Sequence, residues 1–196
     1  MKLRNTTLSI ATGAAWLDAR LAHAPNVAGL IVILKPGSVA DEEGREAYIA
    51  RAMQASGYAT LTVDLLTHHE ETRDPDARYN VPQLASRIEG VRDWIAHQPP
   101  LEGLAVGLIS CDTATGAAIR TAARHLGDYA AIAARGGRAD LAGGGPLRAL
   151  ATPLCLVVGD QDPGRAMIRH AFELVSAPNE WVDAPGVSEL FIEPGA

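Results

Sequence analysis

Residues 107–114, Gly-Leu-Ile-Ser-Cys-Asp-Thr-Ala, form the stretch that decides the fold. An apolar run ends in the Ser110-x-Asp112-x-Ala114 pattern, and an alanine-rich segment at residues 115–126 follows at once with helical character. A sharp strand-turn-helix elbow needs small residues two positions before and two after its central residue, because the turn brings those backbones close together. The stretch therefore predicts such an elbow with a carboxylate at its centre.

Composition bounds the kind of protein. The 196 residues are 47% hydrophobic and 20% charged, which predicts one globular domain spanning residues 1–196. The net charge of −6 argues against a nucleic-acid partner. No apolar run approaches the roughly 20 residues of a membrane helix, so no membrane partner is expected. Cys111 and Cys155 are too few for a disulfide framework, and we expect a reduced, cytoplasmic setting.

Extended and helical segments alternate along the chain, which predicts an α/β fold with a mostly parallel sheet covered by helices. A first pair of strands, residues 8–23 around Gly13, is predicted as an antiparallel edge, and residues 67–79 as a polar loop. Further strands are predicted at residues 27–34, 59–66, 104–109, 129–134, 153–158 and 179–184, and helices at 42–56, 81–97, 115–126 and 165–175. The ligand crevice of such a sheet lies at the carboxyl ends of its strands.

These segments resemble the α/β-hydrolase fold, in particular its dienelactone-hydrolase-like branch. The resemblance rests on the elbow and on LIVILKPGS, ATLTVDLLT, ARGGRADLAG, LVVGDQDP and PGVSELFIEPG, in that order along the chain. It implies a mostly parallel central sheet with helices on both faces and no lid domain. It also implies a site whose nucleophile, acid and histidine follow one another in the sequence.

By this resemblance the three catalytic positions fall on Asp112, Asp162 and Glu189. Asp112 takes the place of the serine, and Glu189 takes the place of the histidine in Gly186-Val-Ser-Glu189. An alternative register shifts the elbow by two residues and puts Ala114 at its centre. Asp162 matches the position of the acid, although an aspartate before Pro163 is also an ordinary turn residue.

The resemblance places the pocket and the oxyanion loop at Lys35, Gly37, Thr113 and Arg135. Family members usually carry a His-Gly pair where this chain has Lys35 followed by a proline, and that proline has no backbone N–H to donate. The arginines of the Arg-Gly-Gly-Arg turn at residues 135–138 could neutralise the site's carboxylates or bind an anion. Alternatively, they pair with Asp140 at the surface.

Three functional interpretations follow. The first is a catalytically impaired hydrolase homologue that binds a small molecule and needs no cofactor or metal. The second is an active enzyme in which Asp112 attacks an ester, an epoxide or an alkyl halide, with His68 or His69 as a replacement base. The third is a metal site built from the carboxylates. Because the chain stops at Ala196 without the long final helix common in this architecture, we expect an exposed edge that a second copy could cover, giving a homo-oligomer.

Overall fold

The computed structural model describes residues 3–37, 44–189, 191 and 193. Within them, eight strands form one sheet: β1 (Arg4–Thr12), β2 (Ala15–His23), β3 (Leu30–Lys35), β4 (Ala59–Asp64), β5 (Val106–Cys111), β6 (Ala131–Gly137), β7 (Leu154–Gly159) and β8 (Asn179–Ala184). The helices of this part of the chain are α1 (Arg45–Ala55), α2 (His68–Arg73), α3 (Val81–Ala96), α4 (Asp112–Arg124), α5 (Gly144–Ala149) and α6 (Arg165–Phe172).

The strands lie in the order β1-β2-β4-β3-β5-β6-β7-β8. β1 and β2 pair antiparallel, β2 pairs antiparallel with β4, and every other pair is parallel. The predicted mostly parallel sheet with an antiparallel edge is confirmed, and the architecture is that of an α/β hydrolase. In the described ranges no helix is long and apolar enough to cross a membrane.

Helices α1 and α4 cover opposite faces of the sheet. Cys111, the last residue of β5, points its thiol at Glu46 on α1, with 3.9 Å between Sγ and Oε1. The preceding residue, Ser110, instead shares a hydrogen bond of 3.0 Å with Thr115 on α4. Because neighbouring side chains of a strand point to opposite faces, these two contacts place the helices on either side of β5.

The core is built from apolar strand residues and from the small side chains of α4. Leu30, Leu34, Leu61 and Leu108 are buried on the central strands. Helix α4 buries an almost continuous run of alanine, threonine and glycine, so that its backbone packs close to the sheet and to the segment after β6. The C-terminal end of β5 is therefore a rigid platform for the elbow.

Two segments differ from the sequence-based expectation. The predicted polar loop at residues 67–79 contains helix α2, so that prediction was wrong. The Thr67 side chain accepts from the backbone of Glu70 and the Glu70 carboxylate accepts from the backbone of Thr67, a reciprocal cap that stabilises the start of a short helix. Helix α5 was not predicted, because its glycines and proline are typical of turns.

Candidate functional site

The elbow is centred on Asp112. This residue has φ +45°, in the left-handed region that non-glycine residues rarely adopt, and it is the first residue of α4. Ala114 is fully buried inside the helix, so the alternative register is not the one in the structure. A strained backbone at the junction of a central strand and a helix holds the Asp112 side chain at the carboxyl end of the sheet.

The backbone around Asp112 is tied to the end of β6. The N–H of Arg138 donates to the carbonyl oxygen of Asp112 over 3.0 Å, and Asp112 forms a parallel bridge with Gly137. A Cβ on Gly137 would overlap the side chain of Thr115, so only glycine permits this close approach. Two neighbouring strand ends thus fix the position of the central carboxylate.

Burial raises the pKa of the Asp112 carboxyl above its ordinary value, because desolvation disfavours the charged form. Nearby Arg78 and Arg138 and a hydrogen bond from the Thr113 backbone act in the opposite direction, and Glu189 raises the pKa further. The Asp112 carboxyl is therefore under opposing electrostatic influences, from two arginines on one side and from burial and Glu189 on the other.

Asp162 lies in the turn that follows β7 and is 7% exposed. Its Oδ1 accepts from the backbone N–H of Gly164 over 2.7 Å, an ordinary turn contact. Its Oδ2 is buried and has no hydrogen-bond partner. An unpaired buried carboxylate oxygen is costly, because it has lost its hydration without gaining a hydrogen-bond donor.

Glu189 is an exposed residue in the loop after β8, and that loop packs onto the ends of β6 and β7. The carbonyl oxygen of Val187 accepts from the backbone of Gln161 over 3.1 Å and lies against Gly159. The carbonyl oxygen of Glu189 lies against Gly136, so closely that a Cβ there would overlap it. The structure thus brings the loop of Glu189 to the strand ends that carry Asp112 and Asp162. We call these three carboxylates the strand-end site.

The predicted oxyanion loop is occupied by charges of its own. The ammonium of Lys35 lies 2.8 Å from the Asp64 carboxylate, on the strand that flanks β3 on the side away from β5. Burial raises the pKa of Asp64 despite this ion pair. The carboxylate of Glu71 packs directly against Gly37. A negative charge beside this loop would oppose, not stabilise, a developing oxyanion.

The arginine pair at the end of β6 divides between two partners. Arg138 forms a bidentate ion pair with Asp140, with 2.8 Å and 2.7 Å between the guanidinium nitrogens and the carboxylate oxygens. This is the pairing with Asp140 that one of the two alternatives for the turn predicted. Arg135 instead reaches Glu46 over 2.8 Å and stacks on Phe191, with 5.4 Å from its guanidinium carbon to the ring centroid.

Cys111 and Thr113 flank Asp112 and point into the protein. Burial, with a contribution from nearby Glu46, raises the pKa of the Cys111 thiol to about 12, which argues against a thiolate nucleophile. The Thr113 side chain is fully buried, and its Oγ1 has no hydrogen-bond partner.

The two histidines considered as replacement bases, His68 and His69, lie on helix α2. Both side chains are exposed, on a short helix where the sequence predicted a polar loop. None of the six histidines of the chain donates to Asp162, because one oxygen of that carboxylate is taken by Gly164 and the other has no partner.

Two cavities among the described residues, a groove and a small void, are lined by residues other than those of the strand-end site. A groove of about 560 Å³ runs between α5 and α6, with Asp140, Leu147, Ala166, Met167, His170 and Leu174 among its lining residues. A void of about 10 Å³ lies next to Cys111 and Arg135. Neither is lined by Asp112, Asp162 or Glu189. Among the described residues, no group of three or more His, Cys, Asp or Glu side chains is placed to hold a metal ion.

Sequence reasoning missed two charged residues near the site, Glu71 and Arg78. Both lie in the segment that was predicted as a loop; Glu71 acts on Asp64 at the end of β4, and Arg78 acts on Asp112 after β5. The Thr67-x-x-Glu70 capping signature could have located helix α2 and, with it, the position of Glu71.

No protein-family model matches the sequence. Two strains of Mycobacterium tuberculosis carry a curated relative that is 31% identical over 194 residues, and its name provisionally assigns it to the phosphoribosyl transferases. The match covers 98% of this chain and 43% of the relative, so the chain spans less than half the length of the curated relatives it matches.

Solved structures carry the family assignment. The structure of Est1E from Butyrivibrio proteoclasticus has a TM-score of 0.76 at 14% identity, over 95% of this chain and 91% of that one, which shows the fold alone. The crystal structure of a dienelactone hydrolase from Anabaena variabilis has a TM-score of 0.90 at 33% identity and matches 100% of this chain and 92% of its own. With this identity over nearly the full length of both proteins, the chain belongs to the dienelactone-hydrolase family of α/β-hydrolase-fold proteins.

Proposed function

We propose that this protein is a dienelactone-hydrolase homologue without serine-hydrolase activity, whose strand-end site has lost the nucleophile and the base. The observation that carries the proposal is the chemistry of three side chains, Asp112, Asp162 and Glu189, on the scaffold of an elbow. A carboxylate replaces the hydroxyl that would attack a carbonyl carbon, and another replaces the imidazole that would accept its proton. The retained role is the binding of a small molecule, without a cofactor.

Electrostatics around the site support this proposal. An ester hydrolase stabilises the oxyanion of its tetrahedral intermediate with backbone N–H groups and positive charge. Here the Asp112 carboxylate stands at the elbow, and Glu71 packs against Gly37 in the loop that would supply a second donor. The ammonium of Lys35 is paired with Asp64. Each of these features disfavours the transition state of acyl transfer.

Asp162 supplies independent support. In a working triad the acid orients the histidine through a hydrogen bond to the imidazole N–H. The Oδ2 atom of Asp162 is buried without a partner, so the acid is present and its customary donor is not. The carboxylate of Glu189 cannot replace that donor in its ionised form, because it has no proton to give.

The test is active-site labelling together with ester turnover. We expect no covalent labelling by a fluorophosphonate probe, and p-nitrophenyl butyrate turnover no faster than with the Asp112→Ala variant. A serine esterase run in parallel shows that the probe and the substrate are competent. Turnover that Asp112→Ala removes would overturn the proposal.

The strained elbow favours a second candidate, an aspartate-based hydrolase. A φ of +45° at Asp112 costs stability, and such strain often persists at working sites. In this mechanism a carboxylate oxygen of Asp112 attacks an alkyl halide carbon, and halide leaves as the C–O bond forms. Water then hydrolyses the ester to an alcohol and the carboxylate, and its surplus proton goes to a base, here Glu189.

Mass spectrometry of the intact protein separates the two candidates. After incubation with a panel of alkyl halides and epoxides, the second candidate predicts an alkyl adduct that maps to Asp112 and disappears with time. Our proposal predicts no adduct on Asp112.

Transfer of a phosphoribosyl group, the activity in the name of the Mycobacterium tuberculosis relatives, finds little support at this site. Phosphorylated substrates are polyanions, and they need positive charge where they bind. The strand-end site presents the carboxylates of Asp112 and Glu189, and of the two arginines near Asp112, Arg138 is already ion-paired with Asp140. We expect no release of pyrophosphate when the protein is incubated with a phosphoribosyl pyrophosphate donor.

A further inference from the structure

The groove between α5 and α6 is a second concave surface, which the strand-end interpretation does not use. Its volume of about 560 Å³ lies in the range of small-molecule sites, roughly 300–1,000 Å³. Its lining is largely apolar, with Leu147, Ala166, Met167 and Leu174 on the walls. A few polar groups stand among them, which is the usual composition of a ligand pocket.

Helix α6 is apolar on two sides. Ile168 and Phe172 are buried toward the core, as one side of an amphipathic helix should be. Ala166 and Met167 lie on the groove and are exposed, and the side chain of Met167 is 53% accessible. A flexible, polarisable methionine suits a wall that must adapt to an apolar ligand. Core packing explains the first side of this helix and leaves the second without a partner.

Charges at the groove favour an anionic ligand. Asp140 is held by both prongs of Arg138, so its negative charge is compensated. The guanidinium of Arg148 lies at the rim, 3.2 Å from the carbonyl oxygen of Gly144, which lines the groove. His170 also lines it, and its imidazole makes no hydrogen bond or ion pair with the described part of the chain. A guanidinium and an open imidazole can both donate to a carboxylate.

From this arrangement we propose that the α5–α6 groove binds a small monocarboxylate with an apolar tail. The tail lies along Leu147, Met167 and Leu174, and the carboxylate lies toward His170 and Arg148. The proposal does not depend on whether Asp112 is catalytic, so the two proposals can fail separately.

The groove can be observed directly through its methionine. The chain has three methionines, Met1, Met53 and Met167, and Met53 lies on α1, away from the groove. With methyl-labelled methionine, titration with sodium octanoate below its micelle concentration should shift the Met167 methyl resonance in a saturable way and leave that of Met53 in place. Equal shifts of both resonances would mean non-specific adsorption and would overturn the proposal.

Head-group selectivity tests the charge argument. Octanoate should bind at least about tenfold more tightly than 1-octanol or octylammonium, which share its tail. Arg148→Gln and His170→Gln should lower the affinity for octanoate and leave the affinity for 1-octanol unchanged. Arg51→Gln on α1 should change neither affinity. Equal affinity for octanoate and octylammonium, or no saturable shift of Met167 with octanoate, would overturn the proposal.

Filling the groove tests its location. Ala166 is exposed and lines the groove, so Ala166→Trp should lower the affinity for octanoate by about tenfold or more while the protein stays folded. Ala52→Trp, at an exposed position of α1, is the matched control and should bind like the parent. Unchanged octanoate affinity in Ala166→Trp would place the ligand elsewhere and contradict the proposal.

Discussion

The strand-end site and the α5–α6 groove differ in charge and in shape. The strand-end site has charged groups at the carboxyl ends of the strands, Asp112, Asp162 and Glu189, but these do not line the formed cavities described above. The groove has a cavity of about 560 Å³ and an apolar lining, with one imidazole, one compensated carboxylate and the guanidinium of Arg148 at its rim.

The difference has a packing origin. Glycines at the ends of β6 and β7 let the loop after β8 pack tightly onto the sheet, since a Cβ on Gly136 or Gly159 would overlap its backbone. The strand-end site is therefore held by backbone contacts that do not depend on the side chains at its centre. Such a frame can keep its geometry while the residues that perform the chemistry change.

The largest expected effect is a gain of activity from two substitutions in the strand-end site. Asp112→Ser combined with Glu189→His returns a hydroxyl and an imidazole to the frame, and the unpaired Oδ2 of Asp162 is available to orient the ring. Hydrolysis of p-nitrophenyl butyrate should rise by at least about a hundredfold over the parent chain. A further gain should follow from Pro36→Gly, which adds a backbone donor to the oxyanion loop.

Single variants provide the controls for this experiment. Asp112→Ser and Glu189→His alone should remain near the activity of the parent, because neither completes the pair. Asp162→Ala in the restored background should abolish the gain. A double variant no more active than the single ones would show that the frame no longer supports the family's chemistry.

The next effect concerns the packing of the loop. Gly136→Ala places a methyl group against the carbonyl oxygen of Glu189 and forces φ +55° on a residue with a Cβ. We expect a loss of about 2–4 kcal/mol in the free energy of unfolding, measured by urea denaturation. Gly145→Ala is the matched control at the groove, since its Cβ would meet no atom within 4 Å. It should change the free energy of unfolding by less than about 1 kcal/mol.

The next effect is the pH dependence of stability at the Glu70–Arg87 ion pair, which joins α2 to α3. The ion pair and hydrogen bond with Arg87 lower the pKa of Glu70 to about 2 from its ordinary 4.5. A lowered carboxyl pKa stabilises the fold above pH 4.5, and this stabilisation is lost as the pH falls toward 2. Glu70→Gln should therefore lower the free energy of unfolding, measured by urea denaturation, by about 2 kcal/mol at pH 7 and by almost nothing at pH 2.

The control for the acid series is Glu173→Gln. Glu173 pairs with Arg169 on the exposed side of α6, with 3.7 Å between the charged atoms. An exposed pair of this kind contributes less than about 0.5 kcal/mol at any pH. If Glu173→Gln and Glu70→Gln had the same pH profile, the buried Arg87 would not be what anchors α2.

The sheet could be predicted from the sequence, because buried strands and amphipathic helices leave local patterns. The elbow followed from small residues two positions on either side of Asp112, and the structure places the left-handed φ there. Strand β8 was predicted with its bounds of Asn179–Ala184. These features depend on neighbours in the chain, which the sequence states directly.

The surroundings of the site could not be predicted, because they depend on contacts between distant segments. Three such contacts follow from the order of the strands in the sheet. Glu71 packs against Gly37, Arg135 pairs with Glu46, and Arg78 acts on Asp112. The α5–α6 groove was missed for the same reason. Residues 144–149 have the composition of a turn, and they form a wall only once α6 is placed beside them.

The smallest expected effect tests whether Asp112 still imposes a cost on the fold. Burial and Glu189 raise its pKa, so the folded state holds the proton more tightly than the unfolded chain, and stability from this group falls as the pH rises through the folded pKa. Asp112→Asn keeps a side chain that tolerates positive φ and removes the charge. It should therefore raise the free energy of unfolding by less than about 1 kcal/mol at pH 7 and leave it unchanged at pH 3. A loss of stability at pH 7 would show that Arg78 and Arg138 more than compensate the buried charge, and the strand-end site would then be a balanced charge network.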